Sequence, residues 1–141
     1  MTAHVFNLRV YWEDTDAGGL VYHANYLKFA ERARTEMLRH LGIQQEKLRD
    51  ETGMLFVVRR LVAEYLLPAR LDDELAITCR AHADRAATIR FEQSIFRDRP
   101  GEGPPILTAG VLVACVDAHT LKPRRLPESL INELLSPPDT A

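Results

Sequence analysis

The chain has 141 residues, of which 46% are hydrophobic and 27% charged, with a formal net charge of -2. That length suits one domain with one core, expected over residues 1–141 with 136–141 as a loose tail. The near-neutral balance offers no footprint for nucleic acid or an acidic lipid surface. Two cysteines, Cys79 and Cys115, are too few and too scattered for a disulfide framework or a zinc knuckle, and read as buried free thiols in apolar runs. Met1–Arg9 has no long apolar stretch, and no run approaches the roughly 18 residues of a membrane span, so neither a signal peptide nor a span is expected. The chain reads as cytoplasmic.

Residues 5–12 alternate, with Phe6, Leu8, Val10 and Trp12 on one face, which predicts a half-buried strand. The small, polar run from Asp14 to Gly19 then predicts a loop. From Tyr26 the period changes. Tyr26, Ala30, Ala33, Met37 and Leu41 follow helical spacing, with Asn25 as the expected N-cap and Gly42 as the terminating glycine. This is the longest predicted helix, and a short second one is expected over Gln44–Glu51, ending near Gly53. Glu31 with Arg34, and Arg32 with Glu36, have the spacing of structural ion pairs along the long helix.

The remainder reads as strands. Leu55–Leu67 is long and apolar and is stopped by Pro68. Leu75–Ala81 and Ile89–Ile95 alternate, and Ile106–Val116 is apolar on both faces, as in a central strand or one covered by a partner subunit. Short polar joins are expected at Asp72-Asp73, Asp84-Arg85 and 97–105, and a last helical segment over Glu128–Leu135. Strand, long helix, short helix and four closely connected strands favour an antiparallel sheet, hence an α+β fold.

Glu13, Asp14 and Asp16 cluster between a strand and the helix start, beside Gly18-Gly19 and just before Tyr22 and His23. A carboxylate there can serve as a general base or attack an activated carbonyl. Free N–H groups at a helix start can hold a developing oxyanion. The same residues also suit plainer duties, as caps and dipole partners with a surface histidine. A calcium loop fails because Gly18 and Asn25 stand where oxygen ligands are needed, and no histidine pair has zinc spacing. No metal or other cofactor is expected.

The run from Asp14 through Tyr26 (Asp-Thr-Asp-Ala-Gly-Gly-Leu-Val-Tyr-His-Ala-Asn-Tyr), continued by Glu31-Arg32-Ala33-Arg34-Thr35-Glu36, resembles the signature of 4-hydroxybenzoyl-CoA-type hotdog thioesterases. More narrowly it resembles the YbgC branch, associated with the Tol–Pal system. Phe56–Arg60, Glu64-Tyr65, Pro68–Asp73, Val116-Asp117 and Lys122–Arg124 extend the likeness over about residues 9–135. The resemblance implies an antiparallel five-stranded sheet wrapped around the long helix, in homodimers or homotetramers whose sites draw on two subunits. It implies an acyl-CoA thioesterase, with acyl-ACP as another carrier and a non-catalytic acyl-CoA-binding or scaffolding module as the alternative. By analogy Asp16 is the catalytic carboxylate, the backbone N–H near His23 polarises the thioester carbonyl, and the His23 side chain assists. A tyrosine that assists in relatives precedes the acidic cluster, where this chain has Tyr11-Trp12. Gly18, Gly19 and Tyr22 are expected to border the substrate. Arg59, Arg60 and Arg90 are the expected coenzyme A contacts, with Arg85, Lys122 and Arg124 as further basic candidates, since guanidinium forks match phosphate oxygens. Glu31 is a lesser candidate for lining the site.

Overall fold

The structure is a computed structural model and describes residues 4–134, so the expected tail at 136–141 lies outside the described residues. Five strands form one antiparallel sheet: β1 (His4–Arg9), β2 (Met54–Tyr65), β3 (Glu74–Arg85), β4 (Thr88–Arg97) and β5 (Leu107–Asp117). Their spatial order is β1-β3-β4-β5-β2. The long helix α1 (His23–His40) packs against β1, β3 and β4, the short helix α2 (Gln45–Thr52) against β2, and α3 (Glu128–Leu134) against β3. One long helix laid on a five-stranded antiparallel sheet is the expected α+β arrangement.

Periodicity explains the packing. Tyr26, Phe29, Ala30, Ala33 and Met37 lie along one stripe of α1 and are buried. The two alanines let the helix approach the sheet closely, and Phe29 and Met37 fill the space beside them. From the sheet come Leu75, Ile77, Ile89, Phe91, Ile95, Leu107 and Val111, all buried in the same core. Alternation in β4 is regular: Ile89, Phe91, Gln93 and Ile95 are buried, while Arg90 and Glu92 point to the other face. Losing a fully buried side chain such as Phe29 is expected to cost about 3–5 kcal/mol.

Several boundaries differ from expectation for identifiable reasons. β1 ends at Arg9, and Trp12 does not share the inward face of Phe6, Leu8 and Val10. Trp12–Asp14 is instead a single 3-10 turn, which rotates Trp12 outward to 80% exposure. The β3–β4 turn falls on Ala86-Ala87, because Asp84 and Arg85 still belong to the ladder side of β3. β5 is apolar on both faces because it lies inside the sheet, between β4 and β2. The turn at Asp72-Asp73 forms as expected: Asp72 has φ +72°, and the Asp73 carboxylate accepts the Arg70 N–H at 2.9 Å and Arg97 Nε at 3.2 Å. Gly53 ends α2 with φ +73°. No helix among the described residues is long and apolar enough to cross a membrane.

Candidate active site

The predicted helix cap is corrected. Tyr22, not Asn25, is the N-cap of α1, and it supplies no side-chain hydrogen bond to the helix. Asn25 sits one turn inside and turns its amide backwards, donating to the Asp14 carbonyl at 2.9 Å. That carbonyl also accepts the Tyr22 N–H at 3.0 Å, so the 3-10 turn is tied to the helix start at two points. Among the described residues, the N–H groups of His23 and Ala24 have no protein acceptor. A helix start in this state carries a concentrated partial positive charge and two free donors.

The two aspartates of the motif have different environments. Asp14 is buried, and its Oδ2 accepts the Tyr11 N–H at 2.8 Å, closing the turn on itself. Asp16 is exposed, and its Oδ1 accepts the Gly18 N–H at 2.8 Å. Its backbone is pinned as well: Asp16 N–H donates to Leu20 at 2.8 Å, and its carbonyl accepts Gly19 N–H at 3.1 Å. Bridges from Thr15 to Val21 and from Leu20 to Arg70 complete a small hairpin that carries the exposed carboxylate. Both glycines serve this geometry. A Cβ on Gly18 would stand 3.2 Å from Asp16 Oδ1, and Gly19 has φ +78°, where a side chain strains the backbone.

His23 is exposed. Its ring lies 4.5 Å from that of Tyr22 and 6.5 Å, edge-on, from that of Tyr65. Tyr65 was not foreseen at this site. Its hydroxyl donates to the His23 carbonyl at 2.8 Å, joining the last residue of β2 to the first turn of α1. Spacing could not reveal this, since 42 residues separate the two. Tyr26 continues the aromatic group, its ring 5.6 Å from Tyr65 and its hydroxyl accepting the Ala69 N–H at 2.9 Å.

Asp16, Gly18, Gly19, Tyr22 and His23 thus meet at one junction. The arginines do not join them within one chain. Arg59 lies six residues before Tyr65, about 20 Å along the strand. It lines a separate cavity of about 590 Å³ with Arg85, Thr88 and Leu121. There the Thr88 hydroxyl is buried without a hydrogen-bond partner among the described residues. Arg60 follows the irregularity in the β2–β5 ladder and is exposed. Arg90 is on the sheet face away from α1, 3.6 Å from Asp84. Lys122 is exposed, and Arg124 is held by the Thr52 carbonyl and by Asp117 at 3.6 Å.

The expected helix pairs also rearrange. Glu31 accepts the Thr35 hydroxyl at 2.9 Å, and Glu36 pairs with Arg39 at 2.9 Å. Arg32 lies over the Phe29 ring, 5.9 Å from its centre. Arg34 turns inward, is buried, and donates to Gln93 Oε1 at 3.0 Å. A sequence signal for this existed: Arg34 is four residues after Ala30, on the edge of the buried stripe. No cluster of three or more metal-ligating side chains occurs among the described residues.

A carboxylate presented on a glycine hairpin beside a helix start, on a helix-wrapped antiparallel sheet, defines the class of hotdog thioesterases. The profile of the thioesterase-like superfamily matches residues 10–134, and the chain belongs to that superfamily and, within it, to the YbgC group of acyl-CoA thioester hydrolases. It is 49% identical over 126 residues to the acyl-CoA thioester hydrolase YbgC of Escherichia coli, covering 89% of this chain and 91% of the relative. The acyl-CoA thioesterase YbgC of Haemophilus influenzae is 46% identical over 125 residues, with 89% of each chain covered. A probable thioesterase from Bartonella henselae superposes with a TM-score of 0.80 at 39% identity, over 89% of this chain and all of that one.

Proposed function

We propose that the chain hydrolyses acyl-CoA thioesters to free acid and thiol, with Asp16 acting at the carbonyl and the His23 N–H holding its oxygen. The observation that carries this reading is the Asp16 carboxylate, fixed by the Gly18 N–H, beside a helix start whose first N–H groups lack protein acceptors. In one route an Asp16 oxygen adds to the thioester carbon, the C–S bond breaks, and the sulfur leaves as thiolate and takes up a proton. Water then hydrolyses the mixed anhydride. In the other, Asp16 removes a proton from the water that attacks. Both develop negative charge on the carbonyl oxygen, which the helix-start donors stabilise. In this reading the His23 ring, exposed between two tyrosines, assists proton movement at the leaving sulfur.

The coenzyme is proposed to reach the Arg59 and Arg85 cavity, which has room for a nucleotide and two guanidinium groups for its phosphates. Arg60 is a further contact on the same strand. Arg90 has Asp84 as a competing partner, so it is the weakest of the three coenzyme contacts expected from sequence. Gly18, Gly19 and Tyr22 border the acyl end.

A homodimer, itself able to pair into a tetramer, is part of this reading. Its support is β2, an edge strand of 12 residues with Val58 and Val62 half exposed, followed by exposed Leu66 and Leu67. A long apolar edge invites pairing with another strand. Two β2 edges paired antiparallel bring the Tyr65 end of one chain beside the Met54 end of the other, and set the Arg59 residues of both chains near the middle of the shared seam. Light scattering at micromolar concentration tests this, and a monomer would refute it. A cytoplasmic place of action fits two cysteines that are both free.

The decisive experiment is thiol release across short, long and aromatic acyl-CoA and acyl-ACP substrates. Turnover of at least one is expected. Tight binding with no turnover of any would instead establish a non-catalytic binding module.

A further inference from the structure

We propose that Arg34 reads the far end of the acyl group, and that the cavity it lines takes an acyl chain ending in a carboxylate, such as the monothioester of a dicarboxylic acid. The inference rests on the thioesterase reading and on the pairing of β2 edges. The cavity holds about 90 Å³ between α1 and the sheet. Leu38, Phe56, Val58 and Phe91 give it apolar walls, and Arg34 and Glu31 supply its charges.

Arg34 is 8% exposed, yet no carboxylate pairs with it among the described residues. A guanidinium has five donors. One goes to Gln93, whose own amide is committed to the Ala30 carbonyl at 2.9 Å. Among the described residues, the remaining donors have no protein acceptor. Burial holds the Arg34 pKa below its ordinary range, with smaller opposing contributions from Cys79 and Glu31. Glu31 attracts it from the rim of the same cavity but makes no direct ion pair with it: that carboxylate is exposed to solvent and engaged by Thr35. A buried cation without a direct ion pair is costly, and a carboxylate ligand is the matching fork.

Reach comes from the dimer. Tyr65 fixes His23 at the C-terminal end of β2, whereas Phe56 and Val58 lie in its N-terminal half, so within one chain cavity and site are separated along the strand. Antiparallel pairing of two β2 edges brings the cavity of one chain beside the site of the other. An acyl chain extending from that site then points its far end at Arg34.

The test compares adipyl-CoA with hexanoyl-CoA, matched in chain length, by thiol release. The expected wild-type preference in kcat/KM is at least about tenfold for adipyl-CoA. Arg34→Met should cut that ratio on the order of 10²-fold, the scale seen when one partner of a buried charge pair is removed, and Arg34→Lys should keep part of it. Circular dichroism confirms folding of each variant. If Arg34→Met does not fold, competitive inhibition of the wild-type enzyme by adipate and hexanoate replaces it, with adipate expected to bind more tightly. Turnover of hexanoyl-CoA without an adipyl preference, or a ratio unmoved in a folded variant, overturns this inference alone. Absence of turnover on every acyl-CoA overturns the thioesterase reading, and this one with it.

Discussion

Asp14 and Asp16 are two residues apart, and the structure gives them such different environments that, on the proposed mechanism, opposite losses are expected from them. In Asp16→Asn, the side-chain oxygen can still accept the Gly18 N–H now received at 2.8 Å, so the hairpin keeps its shape. Asp16 is exposed, so the neutral replacement should leave stability within about 0.5 kcal/mol. On the proposed mechanism the anionic base or nucleophile disappears, and kcat should fall on the order of 10²–10⁴-fold, or about 3–5 kcal/mol of transition-state stabilisation. Asp14→Ala removes a buried oxygen that accepts the Tyr11 N–H at 2.8 Å. Losing that bond should cost about 1–2 kcal/mol, lowering Tm by roughly 3–7 °C. The assay is thiol release under saturating acyl-CoA, paired with calorimetry on each variant. Normal turnover by Asp16→Asn on every acyl-CoA, or a larger kcat loss from Asp14→Ala than from Asp16→Asn, would refute the division of labour.

Other outcomes follow from single contacts. Tyr65→Phe deletes the hydroxyl that holds the His23 carbonyl at 2.8 Å; a stability loss of about 0.5–1.5 kcal/mol by denaturant titration and a several-fold lower kcat are expected. Burial pushes the Cys79 thiol up to about 12, so at pH 8 only about 10⁻⁴ of it is thiolate, and iodoacetamide should label it only after unfolding. Mass spectrometry of native and denatured samples reads this directly. His4 lies 5.4 Å from His40, and burial followed by the charge of His40 lowers its pKa below 6.5, against a smaller opposing pull from Glu36. The unfolded chain therefore takes the proton first. Its contribution to stability is intact above pH 6.5 and is lost as pH falls from there through the lower folded value. Melting curves should show a smaller acid-side loss in His4→Gln than in the wild type.

Much of the fold was legible in the sequence. Period-two and helical spacings placed every strand and helix within a few residues, and Gly42 and Gly53 fall in the left-handed region where the helices were expected to stop. Trp12 was misplaced because alternation cannot show a 3-10 turn that breaks the strand after Arg9. Asn25 has a capping residue's chemistry, but its amide is spent on the preceding turn. Asp16, the glycines and His23 are close in sequence, so their meeting could be foreseen. Tyr65 could not, because a hydroxyl reaching back across the domain leaves no periodic trace. Nor could charge spacing show Arg34 turning inward, since the same interval from Glu31 suits a surface pair.

The Tyr65 hydroxyl makes β2 more than an edge. The residue that ends the candidate subunit contact also holds the turn that presents the free N–H groups. In the proposed dimer, assembly and catalytic competence share a hinge point. Dilution that separates the subunits should lower activity per chain more steeply than loss of a substrate-binding surface alone, making specific activity a gauge of association.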